Sequence, residues 1–394
     1  MTILFLSSTH QGDDRRVVAL QAVSLTASGL PVLHLCPSGR TPPPGVPTRG
    51  LSRRPGLLGR VAMLPRLFGA ALGARPATIQ ASEPDTWAVA LLAKALIGCR
   101  VVFDVHEDYA DPHRLTRLPG WLRRPAAAAI RGAFRLMSRW TDAAVLATPV
   151  LAERFPAGPD RPPRVLVRNL VPRHEAEAMP RAAPEARGTL RLVALGAMTR
   201  ARGWPVALAA LARAADRTIE LEVIGPFTDG SAADFASTAE RLGLGARVAA
   251  TGPLPRAEAL ARAAGAHAAL MLFAPGPANH EAALPHKLFE AMALGLPVVV
   301  AETCRPAAVL VRRTGCGFVV DSADPASVAT AFEALAADPA LRGRMGAAGR
   351  RALLADYAWE EDAARLAALH RKLAGPRTEA PPRPAQPTSR MRHP

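Results

Sequence analysis

The strongest candidates for chemistry are Lys287 and Glu290, three residues apart in the segment ALPHKLFEAMALGLPVVVAE, residues 283–302. Pro285 suits a first helical position, where its missing N–H costs nothing, and Gly295 suits the left-handed residue that ends a helix. The spacing predicts one helix with both charges at its front, followed by an apolar strand covered on both faces. Open α/β folds bind ligands at the carboxyl edge of such strands, so the pair predicts a ligand site. The alternative is a surface ion pair between these two side chains.

Other polar residues come at the ends of predicted strands. His106 directly follows the apolar run of residues 101–105, so it could hydrogen-bond a ligand there, although a lone histidine at a strand end is more often structural. Arg200 and Arg202 lie in a loop that leads to Gly203. Basic side chains at this place could stabilise the negative charge on a departing phosphate group. Solvated loop arginines are the alternative.

The size and charge of the chain limit its class. It has 394 residues, of which 49% are apolar, and this is long for one hydrophobic core, so two domains are expected. The formal net charge is +16, which favours phosphorylated small molecules, nucleic acid or anionic lipid as partners. Nucleic acid is not expected, because no nucleic-acid motif and little aromatic interleaving for base stacking are present. A solvated basic surface or contact with an anionic membrane would account for the charge.

The cellular location can also be predicted. Four scattered cysteines, without CxxC spacing, predict buried, reduced thiols rather than disulfides or a zinc site. The sequence begins directly with a strand pattern, without a leader, and no apolar run approaches the ~20 residues of a membrane span. We therefore expect a cytoplasmic protein, with peripheral contact at the inner face of the membrane. Residues 114–140, rich in Arg, Leu and Trp, would make that contact, although a core helix with a basic outer face fits the same pattern.

Strand and helix patterns alternate through both halves of the chain. Apolar, strand-like runs begin near residues 3, 32, 78, 101, 143 and 165, and again near residues 190, 219, 247, 268, 297 and 317. Repeated βα units with mostly apolar strands predict parallel sheets covered on both faces. We predict an α/β fold with two Rossmann-like domains, residues 1–172 and 189–358, joined by a linker at residues 173–188. A terminal helix at residues 359–374 and a disordered tail at residues 375–394 would follow.

Residues 279–302 resemble the donor-sugar signature of the group 1 (family 4) glycosyltransferases of GT-B fold. In one branch of that family an asparagine precedes a Leu-Pro-x-Lys-Leu-Phe-Glu run, as Asn279 precedes residues 284–290 here. Weaker likenesses follow the order of the family, among them the DVHEDY run at residues 104–109 and the basic loop at residues 195–203. The resemblance covers most of the chain and implies two Rossmann-like domains that face each other across a cleft.

The resemblance implies a role for each candidate residue. Glu290 would accept hydrogen bonds from ribose hydroxyls. Lys287 and Arg202, with Arg200 as second choice, would hold the diphosphate of a nucleotide sugar, and His106 would contact the donor sugar or the acceptor. The remaining donor contacts would come from three residues spread over both halves: Asn279, Leu288 and Gly12. No metal cofactor is implied, since basic side chains serve this purpose in metal-free enzymes of this fold.

The chain departs from the common family form at one position. That form has a second glutamate upstream of the Glu290 position, and it would fall at Ala282 here. Asn279, His280 or Glu281 could replace it in contacting the donor sugar. The predicted function is transfer of a sugar, with retention of configuration, from a nucleotide-diphosphate sugar to a glycan or lipid-linked acceptor. A non-catalytic partner subunit that binds nucleotide sugars and a nucleotide-sugar 2-epimerase are the alternatives.

Overall fold

Two separate parallel sheets organise residues 2–182 and 188–375, the part of the chain that the computed structural model describes. The strands of the first sheet are β1 (Ile3–Leu6), β2 (Val32–Pro37), β3 (Thr48–Leu51), β4 (Thr78–Ala81), β5 (Arg100–Val105), β6 (Ala143–Leu146) and β7 (Arg164–Leu166). The strands of the second sheet are β8 (Arg191–Leu195), β9 (Glu220–Ile224), β10 (Val248–Gly252), β11 (Ala268–Met271), β12 (Val298–Ala301) and β13 (Gly317–Val320). We refer to the parts built on these sheets as the N-terminal and C-terminal domains.

Helices connect the strands and cover both faces of each sheet. The helices that follow strands of the first sheet are α1 (Val23–Ala27), α2 (Gly56–Ala74), α3 (Pro84–Ile97), α4 (Gly120–Met137), α5 (Pro149–Arg154) and α6 (Arg173–Ala178). Those of the second are α7 (Trp204–Arg213), α8 (Ala232–Arg241), α9 (Arg256–Ala263), α10 (Ala278–Glu281), α11 (His286–Leu294), α12 (Arg305–Thr314), α13 (Pro325–Ala337), α14 (Pro339–Asp356) and α15 (Trp359–Ala374). A π-helical segment, Arg15–Ala22, leads into α1, and 3-10 turns lie at Pro112–Arg114, Ser138–Trp140, Arg200–Arg202 and Gly245–Arg247.

The strand order places one crevice in each sheet. The first sheet runs β3-β2-β1-β4-β5-β6-β7 and the second runs β10-β9-β8-β11-β12-β13, with all strands parallel. The order therefore reverses beside β1 in one sheet and beside β8 in the other. Loops leave such a switch point in opposite directions and open a crevice at the carboxyl ends of the strands, where α/β folds bind ligands. The loops after β1 and β8 are thus placed at candidate sites.

The last helix returns to the first sheet. In α15, Trp359 Nε1 donates to Ser24 Oγ at 2.7 Å, and His370 Nε2 donates to Gln80 Oε1 at 2.8 Å. His370 is fully buried, and burial lowers its pKa to about 4, so the ring is neutral. The C-terminal end of the chain therefore packs on the N-terminal domain and holds the two domains together.

The predicted two-sheet α/β fold is confirmed, with four local differences. Strand β3 and helix α2 were not predicted, and the predicted linker contains helix α6. Pro285 is the residue before α11 rather than its first residue, while Gly295 ends that helix with φ +74° as expected. The four cysteines are buried and unpaired, as predicted.

Two further predictions concern membrane spans and the tail. Contrary to the expectation of no span, α2 is long and apolar enough to cross a membrane by length and composition. Its four buried residues, spaced one turn apart, pack on the N-terminal domain, so α2 has the contacts of a surface helix: Gly59, Met63, Leu67 and Ala71. Apart from residue 375, the tail predicted to be disordered lies outside the described residues.

Candidate functional site

Two glycines let the loop after β8 approach its neighbours closely. Gly203 has φ +95°, and a Cβ atom there would lie 1.9 Å from the carbonyl oxygen of Leu272. Gly225, after β9, has φ +142°, with its Cβ position 2.4 Å from the carbonyl oxygen of Gly196. No side chain fits either place. The short helix Arg200–Arg202 can therefore lie against the end of β11, where Ala201 O accepts from Ala274 N–H at 2.8 Å.

Arg202 and Lys287 converge at this edge of the second sheet. The guanidinium carbon of Arg202 lies 6.0 Å from the centre of the Phe273 ring, and Lys287 Nζ lies 5.1 Å from it. Burial, together with the charge of nearby Arg202, lowers the pKa of Lys287 to about 7. Neither cation forms an ion pair with any residue that the structure describes. Two basic side chains at a sheet edge, without a carboxylate partner, can bind a phosphate-bearing anion, which would favour the protonated form of Lys287.

His280 joins this cluster through the same aromatic ring. Its ring lies 5.1 Å from the Phe273 ring, and Nδ1 is 2.8 Å from the carbonyl oxygen of Ala274. Burial and the charge of Arg202 lower the pKa of His280, so the ring is neutral. A carbonyl only accepts hydrogen bonds, so Nδ1 carries the proton and Nε2 presents a lone pair. His280 can therefore accept a hydrogen bond from a ligand hydroxyl.

Glu290 is paired, but not with Lys287. Its Oε1 accepts from Arg256 Nε at 2.9 Å and lies 3.2 Å from His286 Nε2. Although burial opposes ionisation, these two neighbours lower the pKa of Glu290 to about 2. Each of these contacts is made through Oε1, which leaves Oε2 able to accept a hydrogen bond from a ligand hydroxyl. The surface pair between Lys287 and Glu290, considered as an alternative, is not among the ion pairs of the described residues.

The ion pair of Glu290 continues into the N-terminal domain. Arg256 Nη2 lies 3.3 Å from Glu175 Oε2, and Arg15 forms two hydrogen bonds to the same carboxylate at 3.0 and 2.6 Å. Arg15 belongs to the segment after β1, and Arg256 begins α9 after β10. The chain of alternating charges therefore connects the two candidate crevices.

Asn279 contacts the N-terminal domain rather than Arg202, Lys287 and His280, which we call the cationic cluster. Its Oδ1 accepts from the backbone N–H of Asp108 at 2.7 Å, and its Nδ2 donates to the carbonyl of Asp108 at 3.1 Å. The backbone N–H of Asn279 donates to Asp111 Oδ2 at 3.2 Å. Arg154 of α5 adds a hydrogen bond to Glu281 at 2.6 Å and one to Ala278 O at 2.9 Å. Helix α10 is thus fixed to the loop after β5.

Ala282 is also part of this contact between domains. It is 3% exposed and packs in a small apolar cluster with Ala147, Val150 and Leu151 of the N-terminal domain. A glutamate at this position would place a carboxylate in an apolar contact. The position of the absent glutamate is therefore used for packing, and of its three neighbours only His280 contacts the Phe273 ring.

His106 is held by two side chains of its own domain. Its Nε2 lies 3.1 Å from His10 Nε2 and 3.0 Å from the Tyr109 hydroxyl. Burial lowers the pKa of His106 to about 3. Against the effect of burial, the hydrogen bond to Asp14 and the charges of Asp14 and Glu83 raise the pKa of His10 to about 9. The protonated His10 therefore donates to the neutral His106, and the cation of this pair is carried by His10.

Three further predicted site residues, in addition to Asn279, His106 and Glu290, lie outside the cationic cluster. Arg200 is exposed, pairs with Asp234 and lies over the ring of Trp204, so its charge is engaged by a carboxylate. Leu288 is fully buried in the hydrophobic core and exposes no side-chain surface to a donor. At Gly12, a Cβ atom would lie 2.8 Å from the carbonyl oxygen of Arg40, so packing within the N-terminal domain suffices to require glycine.

A cavity of about 610 Å³ lies beside the loop after β5. It extends from that loop to α4 and α5 and reaches Ala278 of α10, so both domains contribute to its wall. Its lining combines apolar side chains with four arginines, Arg131, Arg135, Arg154 and Arg161, and three carboxylates, Glu107, Asp108 and Glu153. Arg154 is paired with Asp108 and Glu281. This composition suits a ligand that carries both negative charge and apolar surface.

Two residues of the site were missed from the sequence. Arg256 follows the end of β10, and His10 follows the end of β1. Both could have been found by the rule that placed His106, since each is a basic residue shortly after a predicted strand. The pairings of Arg256 with Glu290 and of His10 with Asp14 could not have been found in this way, because they depend on three-dimensional contact.

Comparison with known families gives two matches that together span most of the chain. The family model described as "Glycosyl transferases group 1" matches residues 176–352. The model described as "Glycosyl transferase 4-like domain" matches residues 15–170. No curated protein sequence matches the chain with significance.

Several solved structures share the fold at low sequence identity. Sucrose-phosphate synthase from Thermosynechococcus elongatus is 16% identical, with a TM-score of 0.73, and the match covers 95% of this chain and 99% of that one. HepE from Anabaena, in complex with UDP and glucose, is 15% identical, with a TM-score of 0.72 and coverage of 94% and 100%. WaaG, a glycosyltransferase involved in lipopolysaccharide biosynthesis, is 17% identical, with a TM-score of 0.65 and coverage of 93% and 98%.

Proposed function

This chain belongs to the group 1 glycosyltransferases, which transfer sugars from nucleotide sugars, and we propose that it moves a sugar, with retention of configuration, to a glycan or lipid-linked acceptor. The donor binds at the carboxyl edge of the second sheet, and the acceptor binds at that of the first. One observation carries the donor assignment. Arg202 and Lys287 converge beside Phe273, and neither is neutralised by an ion pair among the described residues.

In the proposed reaction, the bond between the anomeric carbon and the diphosphate oxygen breaks, and its electron pair leaves with the diphosphate. Arg202 and Lys287 stabilise that charge in a partly dry site, where fixed cations are most effective. The acceptor hydroxyl attacks the same face of the sugar, and its proton passes to the departing phosphate oxygen. Glu290 binds the ribose through Oε2.

His280 is proposed to take the place of the absent glutamate. Its neutral ring lies beside Phe273, and the bond from Nδ1 to Ala274 O leaves Nε2 as an acceptor for a donor-sugar hydroxyl. Asn279 and Glu281, the other candidates, are engaged with the N-terminal domain. This assignment makes His280 a donor-binding residue rather than a general base.

The cavity beside the loop after β5 is the proposed acceptor site. Arg131, Arg135 and Arg161 form no ion pair with the described residues, so they favour an acceptor that bears phosphate or carboxylate, although Glu107, Asp108 and Glu153 also line the cavity. The apolar lining favours a lipid or aglycone portion. We propose a cytoplasmic location with peripheral contact at the inner face of the membrane, where a lipid-linked acceptor would be available. HepE binds UDP-glucose, so UDP-sugars are the first donors to test.

Nucleotide release from a panel of UDP-, GDP- and ADP-sugars tests the donor site. Arg202→Gln should lower kcat/KM for the preferred donor by about a hundredfold, because it removes one cation from the departing diphosphate. Arg200→Gln is the matched control from the same turn. It should change kcat/KM less than about threefold, because its exposed pair with Asp234 contributes little. Equal effects of the two variants would contradict the donor assignment.

The configuration of the product is the second readout. NMR of the transferred or released sugar should show the anomeric configuration of the donor. An inverted product would contradict retention. Conversion of the nucleotide sugar into its C2 epimer would instead favour an epimerase, and donor binding without turnover over a wide acceptor panel would favour a partner subunit.

A further inference from the structure

Most of the exposed large apolar side chains lie on one part of the N-terminal domain. Ten such side chains are found among the described residues, and eight of them lie on α2, α3, α4 and the 3-10 turn after α4: Leu57, Leu58, Val61, Leu92, Leu96, Trp121, Leu136 and Trp140. The other two, Leu242 and Val309, lie in the C-terminal domain. Isolated exposed apolar residues are normal, but a concentration of this kind marks an interaction surface.

The three helices cover the same face of the first sheet. Met63 of α2, Trp87 of α3 and Phe134 of α4 pack in one hydrophobic cluster under that face. Lys94 Nζ in α3 donates to the carbonyl of Trp140 at 2.7 Å, which fixes the end of α3 beside the turn after α4. The outward sides of these helices therefore form one continuous face, which we call the α2–α4 face.

Helix α2 is apolar well beyond what its packing requires. It has 19 residues, and only 22% of its most apolar window is buried. Its first turns expose Leu57 at 56%, Leu58 at 86% and Val61 at 54%. In α4, one residue of 18, Ala127, is buried, while Trp121 is 76% exposed. Helices that bury one narrow stripe and expose Leu and Trp on the opposite side suit the boundary between water and a membrane.

The charge on this part of the chain is mostly positive, and α3 carries the single acidic residue of the three helices, Asp85. No Asp or Glu occurs between Arg15 and Ser82, or between Pro112 and Thr141. Residues 1–172 contain 22 Lys and Arg against 11 Asp and Glu, which gives +11 of the net charge of +16. Arg124 and Arg139 are exposed near the apolar residues of α4. This charge is complementary to an anionic lipid surface.

We propose that the α2–α4 face docks on the surface of an anionic bilayer. Trp121, Leu136 and Leu58 enter the interfacial region, while arginines around them bind lipid headgroups. Helix α4 also contributes Arg131, Phe134 and Arg135 to the wall of the 610 Å³ cavity. Docking therefore places that cavity next to the lipid surface. The docking itself is independent of the donor site, and only its connection to a lipid-linked acceptor rests on the proposed function.

Vesicle flotation tests the docking. The full chain is mixed with vesicles of phosphatidylcholine containing about 30% phosphatidylglycerol, or of phosphatidylcholine alone, at about 0.1 M salt. We expect at least about tenfold stronger partitioning onto the anionic vesicles, because several arginines face the lipid. Raising the salt to about 1 M should remove most of this preference, since the Debye length falls to about 3 Å.

Substitutions separate this face from the rest of the surface. The triple variant Leu58→Glu, Trp121→Glu and Leu136→Glu should lose at least about tenfold in partitioning, because each apolar contact is replaced by a charge that anionic lipid repels. Leu242→Glu combined with Val309→Glu is the control, since it changes the two exposed apolar residues outside the face. A second variant, Arg124→Glu with Arg139→Glu, tests the charge without altering the apolar residues.

Three results would overturn the proposal. The first is equal binding of the wild-type protein to neutral and anionic vesicles. The second is that the triple variant and the arginine variant both float with anionic vesicles as well as the wild type does. The third is that the control variant loses as much partitioning as the triple variant. A wild-type dimer in solution that the triple variant dissociates, without vesicle binding, would assign the face to a second copy of the chain instead. Thermal shift with nucleotide shows whether each variant keeps its fold and its donor site. A variant that binds nucleotide but not vesicles therefore has lost docking alone.

Discussion

The backbone N–H of Asp108 donates a 2.7 Å hydrogen bond to the side-chain oxygen of Asn279. This bond joins the loop after β5 in the first sheet to α10 beside the second sheet. The amide nitrogen of Asn279 returns a bond to the carbonyl of the same aspartate at 3.1 Å. The asparagine of the donor-sugar signature thus serves as a contact that holds the two domains together, next to the loop that carries His106.

Asn279→Ala should loosen the domains and leave the nucleotide site intact. We expect a larger radius of gyration by small-angle X-ray scattering and a change of less than about threefold in nucleotide affinity, since the lost bonds join the domains. Arg154→Gln, which removes bonds to Asp108, Glu281 and Ala278, should act in the same direction. A large loss of nucleotide affinity at unchanged dimensions would instead make Asn279 a donor ligand.

Nucleotide affinity should depend on pH through Lys287. Its pKa of about 7 in the free protein should rise when a diphosphate binds beside it, so binding takes up a proton above that pH. Affinity should therefore fall as the pH rises from about 7 to about 9, by up to about tenfold per unit. Titration calorimetry should show that the nucleotide affinity of Lys287→Gln does not change with pH over this range. The affinity of Lys287→Arg, which keeps its charge, should also be independent of pH, but higher. An equally steep profile in Lys287→Gln would assign the proton to another group.

Gly203→Ala should destabilise the C-terminal domain. The left-handed φ of +95° and the contact of 1.9 Å with Leu272 O should together cost at least about 3 kcal/mol in the free energy of unfolding. Gly69→Ala is the control, because Gly69 lies in α2 with open space around its Cβ position. That substitution should stabilise by about 0.5 to 1 kcal/mol. Denaturant unfolding measures the change in the free energy of unfolding for both variants. Equal changes would show that the loop at Gly203 relaxes to accept a side chain.

The His10 cation should contribute stability that alkali removes. Its pKa is raised from 6.5 to about 9, so the contribution is complete below the unfolded pKa and is lost as the pH rises through about 9. Relative to His10→Gln, the unfolding free energy of wild type should fall by about 3 kcal/mol between about pH 6 and about pH 9. Parallel unfolding curves over this range would show that His10 is not the protonated member of the pair with His106.

The sequence sufficed to predict the sheets because their strands are short, apolar runs. Strand-like runs were predicted to begin near residues 78 and 317, where β4 and β13 begin. Strand β3 was missed because Thr48–Leu51 is polar, contains glycine and follows a proline-rich loop. Helix α2 was missed because it contains four glycines and Pro65, and its apolar residues show no clear stripe.

The site was only partly predictable for a different reason. The order of strands and loops suffices to bring Arg202 and Lys287 to one sheet edge, because strands and loops can be predicted from local sequence patterns. The partner of Glu290 is Arg256, 34 residues away, and the surroundings of Ala282 come from the other domain. Such contacts depend on how the domains pack, and no local spacing encodes them. His280 could be separated from Asn279 and Glu281 only by these contacts.

The most direct test of the diphosphate site compares the affinity of a nucleoside diphosphate with that of its nucleoside by titration calorimetry. Both ligands carry the base that the donor panel selects. The ratio of the two affinities isolates the contacts of the diphosphate. In wild type we expect a ratio of at least about a hundred, because hydrogen bonds to charged groups contribute about 1.5 to 3 kcal/mol each. In Arg202→Gln combined with Lys287→Gln it should fall below about five. A double variant that keeps the wild-type ratio would contradict the assignment of the diphosphate to Arg202 and Lys287.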